Sequence, residues 1–303
     1  MAALICGSLA FDTIMTFEGR FAEQILPEQL HILNVSFLVP SLRRDFGGCA
    51  GNIAYSLKLL GGDPRPMATL GTDGADYLQR LESLGIDARH VSQVEDTYTA
   101  QALIMTDRDN NQITAFHPGA MMQAHSIRID ADAEVKLAII APDGRDAMLQ
   151  HAEQLVQAGI PFVFDPGQGL PMFNGEELRR FIDQASWVTV NDYEGKMLCE
   201  RTGWSLADIS HQVRGLVVTL GAQGCEVWEQ GAQTLVTAVD PVAVVDPTGC
   251  GDAWRGALLF GLERGWPLGQ CAALGNRLGA LKIAQLGPQN YALDFAAADL
   301  QAA

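Results

Sequence analysis

The sequence predicts an α/β fold: a doubly wound, mostly parallel sheet that is flanked by helices and carries a small β-rich lid. Between residues 136 and 220, short apolar strand-like runs alternate with helix-like runs, which is the pattern of a parallel sheet. Two β-rich insertions, approximately residues 13–45 and 97–118, interrupt this rhythm and together predict the lid. The 303 residues, of which 48% are hydrophobic, suffice for a single domain over residues 1–303.

The first half of the chain predicts four strands and two helices. The opening run, residues 2–6, is apolar and ends at a glycine, as a buried strand does. The turn at residues 107–111 is rich in Asp and Asn and is expected to join two strands into a hairpin. In order, we expect strands at 2–6, 67–70, 98–106 and 112–116, and helices at 53–60 and 77–84.

The second half of the chain alternates strands and helices, which are distinguished by their length and apolar period. An apolar run at residues 242–245 is predicted to be a strand that leads, through a glycine-bearing turn, into a helix at 253–262. The other expected elements are strands at 136–140, 161–164, 187–190, 215–220 and 225–228, and helices at 145–158, 175–185 and 193–202.

Charge and composition argue against several classes of protein. The formal net charge is −16, which disfavours nucleic-acid and anionic-membrane partners, because both need a basic surface. No apolar run approaches the roughly 20 residues of a membrane helix, and the start of the chain lacks the basic residues of a signal peptide. The 6 cysteines are scattered without a Cys-x-x-Cys pair, which favours a reduced, cytoplasmic setting.

The most informative motif is Asp246-Pro-Thr-Gly-Cys-Gly-Asp252, at the expected start of a helix. A glycine-bearing turn that opens a helix presents free backbone N–H groups to an anion. The N–H groups of Gly249, Cys250 and Gly251 would hold a phosphoryl group, and Asp252 would accept the proton of a substrate hydroxyl. The alternative is an ordinary turn with Asp252 as an exposed cap. Cys250 is interpreted as a small packing residue rather than a nucleophile.

A second candidate site combines Asp12, after the first strand, with Asn52, in Gly47-Gly-Cys-Ala-Gly-Asn52 at the start of a helix. A carboxylate accepts hydrogen bonds from two neighbouring hydroxyls, and an amide both donates and accepts, so this pair suits a ribose or another sugar. In a doubly wound sheet both residues lie at the carboxyl ends of strands, where ligands bind. The alternative is a glycine-rich helix entry that Asn52 caps.

Two further motifs could contact a nucleotide. Asn191 and Glu194 are three residues apart at a helix start, so they could orient waters around Mg²⁺, but a capping box has the same spacing. The run Thr219-Leu-Gly-Ala-Gln-Gly224 is either a phosphate clamp or a common hairpin turn. The chain has no Gly-x-x-x-x-Gly-Lys-Ser/Thr run and no Gly-x-Gly-x-x-Gly at its first helix, which disfavours a Walker-type enzyme and a dehydrogenase.

Taken together, these motifs resemble those of the PfkB family of carbohydrate and nucleoside kinases, in the family's order and over essentially the whole chain. Residues 46–54 resemble the first signature of the family, and residues 246–253 resemble the second, which is the more specific. Residues 191–194 match the family's Asn-x-x-Glu, and residues 219–224 match its Thr-x-Gly-x-x-Gly. The resemblance implies a parallel-sheet core with a β-rich lid.

The resemblance also implies that Asp252 is the catalytic base and that Gly249, Cys250 and Gly251 form the anion hole. Pro247 and Cys250 stand where other residues are frequent in the family. Neither departure removes a carboxylate or a needed N–H group, since Pro247 precedes residues 249–251, whose N–H groups form the phosphate cradle.

The cofactors implied by the resemblance are ATP and Mg²⁺, with Glu194 as a ligand of Mg²⁺ through water. A monovalent cation such as K⁺ is implied near Asp246, bound largely by backbone carbonyl oxygens. Sugar-hydroxyl contacts map to Asp12, Gly48 and Asn52. Contacts to ATP map to Asn191, Thr219, Gly221, Gly224 and Asn276.

The acceptor hydroxyl is predicted from finer resemblances. The runs at 115–121, 246–252 and 287–290 together resemble those of bacterial adenosine kinase-like members, which favours the 5′-hydroxyl of a purine ribonucleoside. Phe37 and Phe116, one in each lid insertion, could stack on the base, or they could only hold the lid together. A ribokinase- or fructokinase-like sugar kinase is the second hypothesis, and a non-catalytic ligand-binding protein on this fold is the third. Whether two copies of the chain pair through the lid as a homodimer is left open by the sequence.

Overall fold

The structure is a computed structural model, which describes residues 2–25, 31–32, 34–109, 111–129 and 134–293. Among these residues, nine strands form one sheet and four more form a second, smaller sheet. The predicted fold class, an α/β fold with a mostly parallel sheet, is confirmed. The strands are β1 Ala2–Cys6, β2 Ala10–Thr16, β3 Ser41–Gly47, β4 Asp63–Leu70, β5 Val91–Gln93, β6 Ala100–Thr106, β7 Gln112–His117, β8 Val135–Ile140, β9 Phe162–Phe164, β10 Trp187–Asn191, β11 Gly215–Thr219, β12 Cys225–Glu229 and β13 Ala232–Val236.

The large sheet has the strand order β13-β12-β11-β10-β9-β8-β1-β4-β5. Its strands from β5 to β11 are parallel, whereas β12 and β13 extend it as antiparallel strands. The chain builds outward from β1 to β4 and β5, and later returns to place β8 on the other side of β1. Ligands of doubly wound sheets bind beyond the strand carboxyl ends at such a reversal. The loops after β1, β8 and β9 therefore lie where a site is expected.

Helices cover both faces of the large sheet. They are α1 Phe21–Gln24, α2 Cys49–Leu59, α3 Ala75–Ser83, α4 Arg145–Ala158, α5 Gly175–Gln184, α6 Asp192–Thr202, α7 Leu206–Gln212, α8 Cys250–Glu263 and α9 Leu268–Ile283. Side chains of α2, α8 and α9 form one apolar cluster, which includes Leu258 and Leu274. Those of α4, α5 and α6 form the cluster on the other face, which includes Phe181 and Leu198. None of the described helices is both long and apolar enough to cross a membrane.

The small sheet has the strand order β3-β2-β6-β7 and is built from the two insertions that the sequence predicts to form a lid. Its register aligns Asp45, Asp12, Ala102 and Phe116 in one row across the four strands. Residues that pair across neighbouring strands point to the same face of a sheet. Phe116 therefore shares a face with Asp12. The function of this sheet as a lid stays a prediction.

The prediction of a strand at residues 242–245 is wrong. These residues have no regular secondary structure, and Val242 is 93% exposed. The N–H groups of Val245 and Asp246 instead donate to the carbonyl oxygen of Ile283, at 2.8 and 3.0 Å. An apolar run forms a strand only where another strand can pair with it, and here the end of α9 provides the acceptor instead.

The cysteines contribute packing rather than cross-links. All six are free thiols, and Cys6, Cys225 and Cys271 are buried. Burial raises the pKa of Cys250 to about 11, so its thiol stays protonated near neutral pH. This agrees with the interpretation of Cys250 as a packing residue.

Candidate active site

Asp252 lies in the first turn of α8, directly after the glycine-bearing turn. Gly249 precedes this helix with a φ of 77°, a backbone conformation that favours glycine. Among the described residues, no acceptor binds the N–H groups of Gly249 and Gly251, so they remain open to an anion at the helix N-terminus. The N–H group of Cys250 differs from the prediction, because it donates to the carbonyl oxygen of Pro247 at 3.2 Å.

A chain of hydrogen-bonded side chains holds Asp252 in place. Asn52 Nδ2 donates to Asp252 Oδ2 at 2.8 Å, and Gln289 Nε2 donates to Asn52 Oδ1 at 3.1 Å. Gln289 Nε2 also donates to the hydroxyl of Tyr77 at 2.9 Å, and this hydroxyl donates to the carbonyl oxygen of Gly47 at 2.6 Å. This series of hydrogen bonds fixes which end of the Asn52 amide faces the carboxylate of Asp252. Neither Tyr77 nor Gln289 is among the residues that the sequence predicts to act in the site.

The structure contradicts the alternative in which Asn52 caps a helix, whereas a contact of Asn52 with sugar hydroxyls stays a prediction. The cap of α2 is Gly48, not Asn52, and Asn52 is only 5% exposed within the helix. Its amide contacts Asp252, which favours orienting the carboxylate over binding sugar hydroxyls. Gly48 has a φ of 83°, and a Cβ there would lie 2.5 Å from the carbonyl oxygen of Ser8. Only glycine therefore lets the chain enter α2 along this path.

The surroundings of Asp252 raise its pKa to about 6. Burial is the main cause, since it disfavours the charged carboxylate, and the negative charges of Asp165 and Asp12 act in the same direction. The hydrogen bond from Asn52 and the positive charge of Arg255 oppose them. A carboxylate with a pKa near 6 is mostly ionised at pH 7, yet it is a stronger base than a solvated one.

A buried ion pair lies beside the cradle. Arg255, one turn after Asp252 on α8, makes two hydrogen bonds to Asp165, of which Nη2 to Oδ1 measures 2.6 Å. Its Nη1 donates to the carbonyl oxygen of Gly251 at 3.1 Å. Neither charged residue is among those that the sequence predicts. The available signal is Arg255 itself, a lone cation in the apolar run 253–262, because a buried charge requires a partner.

Asp12 lies on β2, where the small sheet approaches the cradle. A Cβ at Gly47 would lie 2.4 Å from Asp12 Oδ2, so glycine at this position leaves room for the carboxylate. Burial, with added repulsion from Asp45 and Asp246, raises the pKa of Asp12 to about 6, while Arg43 opposes the rise. Asp12 and Asp252 thus belong to one electrostatically coupled site.

The two aromatic residues predicted to contact a base differ in their surroundings. Phe37 packs against Phe17 and Phe21, with ring centroids 5.0 and 5.3 Å apart, which agrees with the packing interpretation. Phe116 is 50% exposed on the face of the small sheet that carries Asp12. Phe116 is therefore available to a ligand, whereas Phe37 is largely engaged in its own aromatic cluster.

Asn191 and Glu194 form the capping box that their spacing allows. Glu194 N–H donates to Asn191 Oδ1 at 2.7 Å, and Asn191 N–H donates to Glu194 Oε2 at 2.8 Å. Thr219 pairs with Asn191 in the register of the large sheet, so both side chains lie at neighbouring strand ends. The capping arrangement uses one carboxylate oxygen of Glu194 and leaves Oε1 for a further contact.

The turn between β11 and β12 requires its glycines. Gly221 and Gly224 have φ values of 57° and 97°, and a Cβ at Gly224 would lie 2.1 Å from the carbonyl oxygen of Val236. Asn276, which was expected to contact ATP, is only 9% exposed. Its Oδ1 accepts from Trp254 Nε1 at 3.0 Å, and its Nδ2 donates to the Val236 carbonyl oxygen at 3.1 Å. These contacts indicate that Asn276 positions the end of β13.

The described residues contain no group of three His, Cys, Asp or Glu side chains that could hold a metal ion. Mg²⁺ held mainly by phosphates and waters, with Glu194 contacting one such water, stays a prediction. Asp246 accepts from the N–H groups of Thr248 at 2.9 Å and Gly287 at 2.8 Å. Burial acts to raise the pKa of Asp246, but these hydrogen bonds outweigh it and the pKa is lowered. A K⁺ ion beside Asp246 stays a prediction.

The fold and site together define a phosphotransferase with an alcohol group as acceptor, on a ribokinase-like fold. The family model described as pfkB family carbohydrate kinase matches residues 19–294. This chain belongs to that family, which confirms the resemblance seen in the sequence motifs.

Solved structures and curated relatives extend this result. The nucleoside kinase of Burkholderia thailandensis in complex with inosine is 53% identical, with a TM-score of 0.87, covering 99% of this chain and 96% of the other. Its complex with ADP-inosine has a TM-score of 0.84 and 54% identity, covering 99% and 94%. The nucleoside kinase of Methanocaldococcus jannaschii is 28% identical over 292 residues, covering 95% and 93%. Probable fructokinase-4 of Arabidopsis thaliana is 28% identical over 238 residues, covering 70% and 72%.

Replacing Arg255 by Met should move the acid limb of the pH profile of kcat/KM to higher pH. Arg255 lowers the pKa of Asp252, so its loss raises that pKa, and the ionised carboxylate then forms only at higher pH. The wild-type limb is expected near pH 6, and it should become steeper than tenfold per pH unit because the pKa of Asp12 is also about 6. The measurement is the rate of ADP release across about pH 5 to 9.

The control is the double variant Asp165→Asn/Arg255→Met, which removes both charges of the buried ion pair and so leaves neither one without its partner. Because Asp165 raises the pKa of Asp252, its removal should bring the acid limb back towards the wild-type position. Equal loss of activity at every pH in both variants, with an unmoved limb, would show that the pair only supports the fold.

Proposed function

We propose that this protein is an ATP-dependent kinase that phosphorylates the 5′-hydroxyl of a purine ribonucleoside. The observation that carries the proposal is the Asn52–Asp252 hydrogen bond of 2.8 Å beside open N–H groups at the start of α8. Asp12 and Phe116, on one face of the neighbouring small sheet, supply contacts for a ribose and a base. A nucleoside kinase that is 53% identical, and whose structure holds inosine, supports this choice of acceptor.

Asp252 acts as the general base of the proposed reaction. Its carboxylate accepts the proton of the 5′-hydroxyl as that oxygen forms a bond to the γ-phosphorus, and the bond from phosphorus to ADP breaks. The N–H groups of Gly249 and Gly251, at the positive end of α8, stabilise the charge on the moving phosphoryl group. Arg255 helps to keep Asp252 ionised, and Asn52 orients it.

Asp12 positions the acceptor. An ionised carboxylate on β2 can accept hydrogen bonds from both hydroxyls of a ribose, which fixes the ring and directs the 5′-hydroxyl towards Asp252. The pKa of Asp12 is about 6, so this carboxylate is mostly ionised at pH 7. The backbone of Gly48 lies at the same edge of the site and is the proposed second contact of the sugar.

The nucleotide side of the site lies at the ends of β10 and β11. Bound Mg²⁺ neutralises phosphate charge during transfer. Glu194 would hold a water of the metal through Oε1, and Asn191 and Thr219 would face the phosphates. The glycine turn at residues 221–224 would contact the nucleotide with its backbone.

The contact with the nucleobase of the acceptor distinguishes the nucleoside kinase from the second candidate, a sugar kinase. The similarity to a fructokinase, 28% identical over 238 residues, keeps that candidate in view. Phe116 favours a nucleoside, because a free sugar has no planar group to stack on an exposed ring. A non-catalytic ligand-binding protein is disfavoured, since Asp252 retains both its orienting donor and its open N–H neighbours.

Three further features belong to this proposal. The small sheet closes over the acceptor as a lid and excludes water, which limits the hydrolysis of ATP. Residues 1–303 act as a single kinase domain, with the lid contributed by residues 13–45 and 97–118. The proposed location of the protein is cytoplasmic. Its proposed assembly is a homodimer that pairs through the lid.

Asp252→Asn should lower kcat by about 10²–10⁴, because an amide cannot accept the hydroxyl proton. The measurement is ADP release with Mg-ATP and a panel of inosine, adenosine, ribose and fructose. Asp183→Asn, at an exposed position on α5, is the matched control and should retain wild-type turnover. Unchanged turnover in Asp252→Asn would refute the assignment of Asp252 as the general base. No ADP release with any acceptor would refute the proposed kinase activity.

Phe116→Ala should raise the KM for inosine by about five- to tenfold, the low end of the about 1–3 kcal/mol that base stacking contributes. The kcat should change little, because the proposed contact of Phe116 is with the nucleobase and not with the 5′-hydroxyl. Ile113→Ala is the control, since Ile113 points to the opposite face of β7. An unchanged KM for every nucleoside would favour the sugar kinase.

A further inference from the structure

Lys282, in the last turn of α9, is fully buried next to the cradle. Its Nζ donates to the carbonyl oxygen of Asp246 at 2.7 Å and to that of Gln285 at 3.3 Å. The carboxylate of Asp246 has other contacts, because it accepts from the N–H of Gly287 and lies 3.6 Å from the guanidinium of Arg43. Backbone carbonyl oxygens, rather than a carboxylate, therefore bind this ammonium.

This environment is unusual for a lysine. Burial lowers the pKa of Lys282, because the ammonium loses the water that stabilises its charged form. The charge of Asp246 opposes this effect and favours the ammonium. Backbone carbonyl oxygens are also the ligands by which proteins hold K⁺. The site thus has the ligands of a monovalent-cation site and already contains a covalently attached cation.

The two carbonyl groups belong to the two loops that build the cradle. Asp246 directly precedes the glycine turn, and the loop after α9 packs on that turn, where a Cβ at Gly249 would lie 2.6 Å from Pro288 Cβ. The N–H of Gly287 donates to Asp246 Oδ2 at 2.8 Å, which joins the loops a second time. Lys282 therefore fixes both loops from one point.

We propose that the ammonium of Lys282 takes the place of the monovalent cation expected near Asp246, so that this enzyme does not need free K⁺. The ammonium holds the two loops together and adds positive potential behind the N–H groups that bind the phosphoryl group. A second cation on the same Asp246 oxygen is disfavoured, because two like charges would meet in a buried site.

The charge of Lys282 reaches the start of α8. Burial raises the pKa of the Cys250 thiol, and the positive charge of Lys282 opposes that rise. Cys250 is the first residue of α8 and lies between the two glycines of the cradle. The effect on catalysis rests on the proposed kinase activity, whereas the effect on the stability of the fold does not.

The test compares wild type with Lys282→Ala in potassium, ammonium and tetramethylammonium chloride at equal ionic strength. Two quantities are measured: kcat for ADP release with inosine, and the midpoint of thermal unfolding. We expect wild-type kcat to agree within about twofold in all three salts. Lys282→Ala should lose about ten- to a hundredfold in tetramethylammonium, less than for a direct anion-hole donor. K⁺ or NH₄⁺ should raise the kcat of Lys282→Ala at least about fivefold over its value in tetramethylammonium, because either ion fits the space that Ala leaves.

The midpoint of thermal unfolding tests whether Lys282 replaces a bound cation, and this measurement does not depend on enzymatic activity. K⁺ should raise the midpoint of Lys282→Ala by a few degrees over tetramethylammonium and leave that of wild type unchanged, since an ion that binds only the folded state stabilises it. Lys282→Met should be impaired but not restored by K⁺, because its side chain fills the space. Lys136→Ala, at an exposed position on β8, is the control and should resemble wild type throughout.

Two results would overturn the proposal. One is wild-type enzyme that K⁺ activates more than about fivefold and stabilises against unfolding, which would show a free-cation site. The other is Lys282→Ala with wild-type kcat and no response to K⁺ in either quantity. If Lys282→Ala folds in none of the three salts, the comparison of wild-type kcat and unfolding midpoints among the salts still decides. Wild type that is inactive in every salt would refute the proposed kinase, while the unfolding midpoints would still test Lys282.

Discussion

The hydrogen bond from Asn52 to Asp252 is the contact on which the rest of the site depends. It measures 2.8 Å and joins α2 to α8 across 200 positions of the sequence. Asp252 is buried near Asp165 and Asp12, so its carboxylate would resist ionisation without a donor. Together with the charge of Arg255, this single neutral donor keeps the pKa near 6, where a buried carboxylate can act as a base at neutral pH.

The chain is strongly acidic, with a net charge of −16, yet the proposed reaction brings a polyphosphate to its site. Local cations and dipoles resolve this conflict, because they act at short range inside a cleft. Arg255 and Lys282 are both buried beside the start of α8, and each contacts backbone carbonyl groups of the cradle. The open N–H groups of the helix add to their field. Positive groups thus lie beside the start of α8, where we propose that the phosphoryl group binds.

Much of the fold and the position of Asp252 at a helix start could be predicted because they leave local patterns. The alternation of apolar runs predicted the parallel sheet, and the spacing in residues 246–252 placed Asp252 at a helix start. The strand at 242–245 was wrong because composition does not reveal whether a pairing strand exists. Gln289, Arg255 and Lys282 could not be assigned, since their partners lie 36 to 237 positions away. Only tertiary contacts give these side chains their positions.

The most direct measurement is a crystal structure of the protein with inosine and a non-hydrolysable ATP analogue. We expect the 5′-oxygen of inosine at about 2.6–3.2 Å from the Asp252 carboxylate. The ribose hydroxyls should contact Asp12, and the γ-phosphate should contact the N–H groups of Gly249 and Gly251. A 5′-oxygen beyond the reach of a bridging water, or a different hydroxyl beside Asp252, would contradict the assignment of Asp252 as the base.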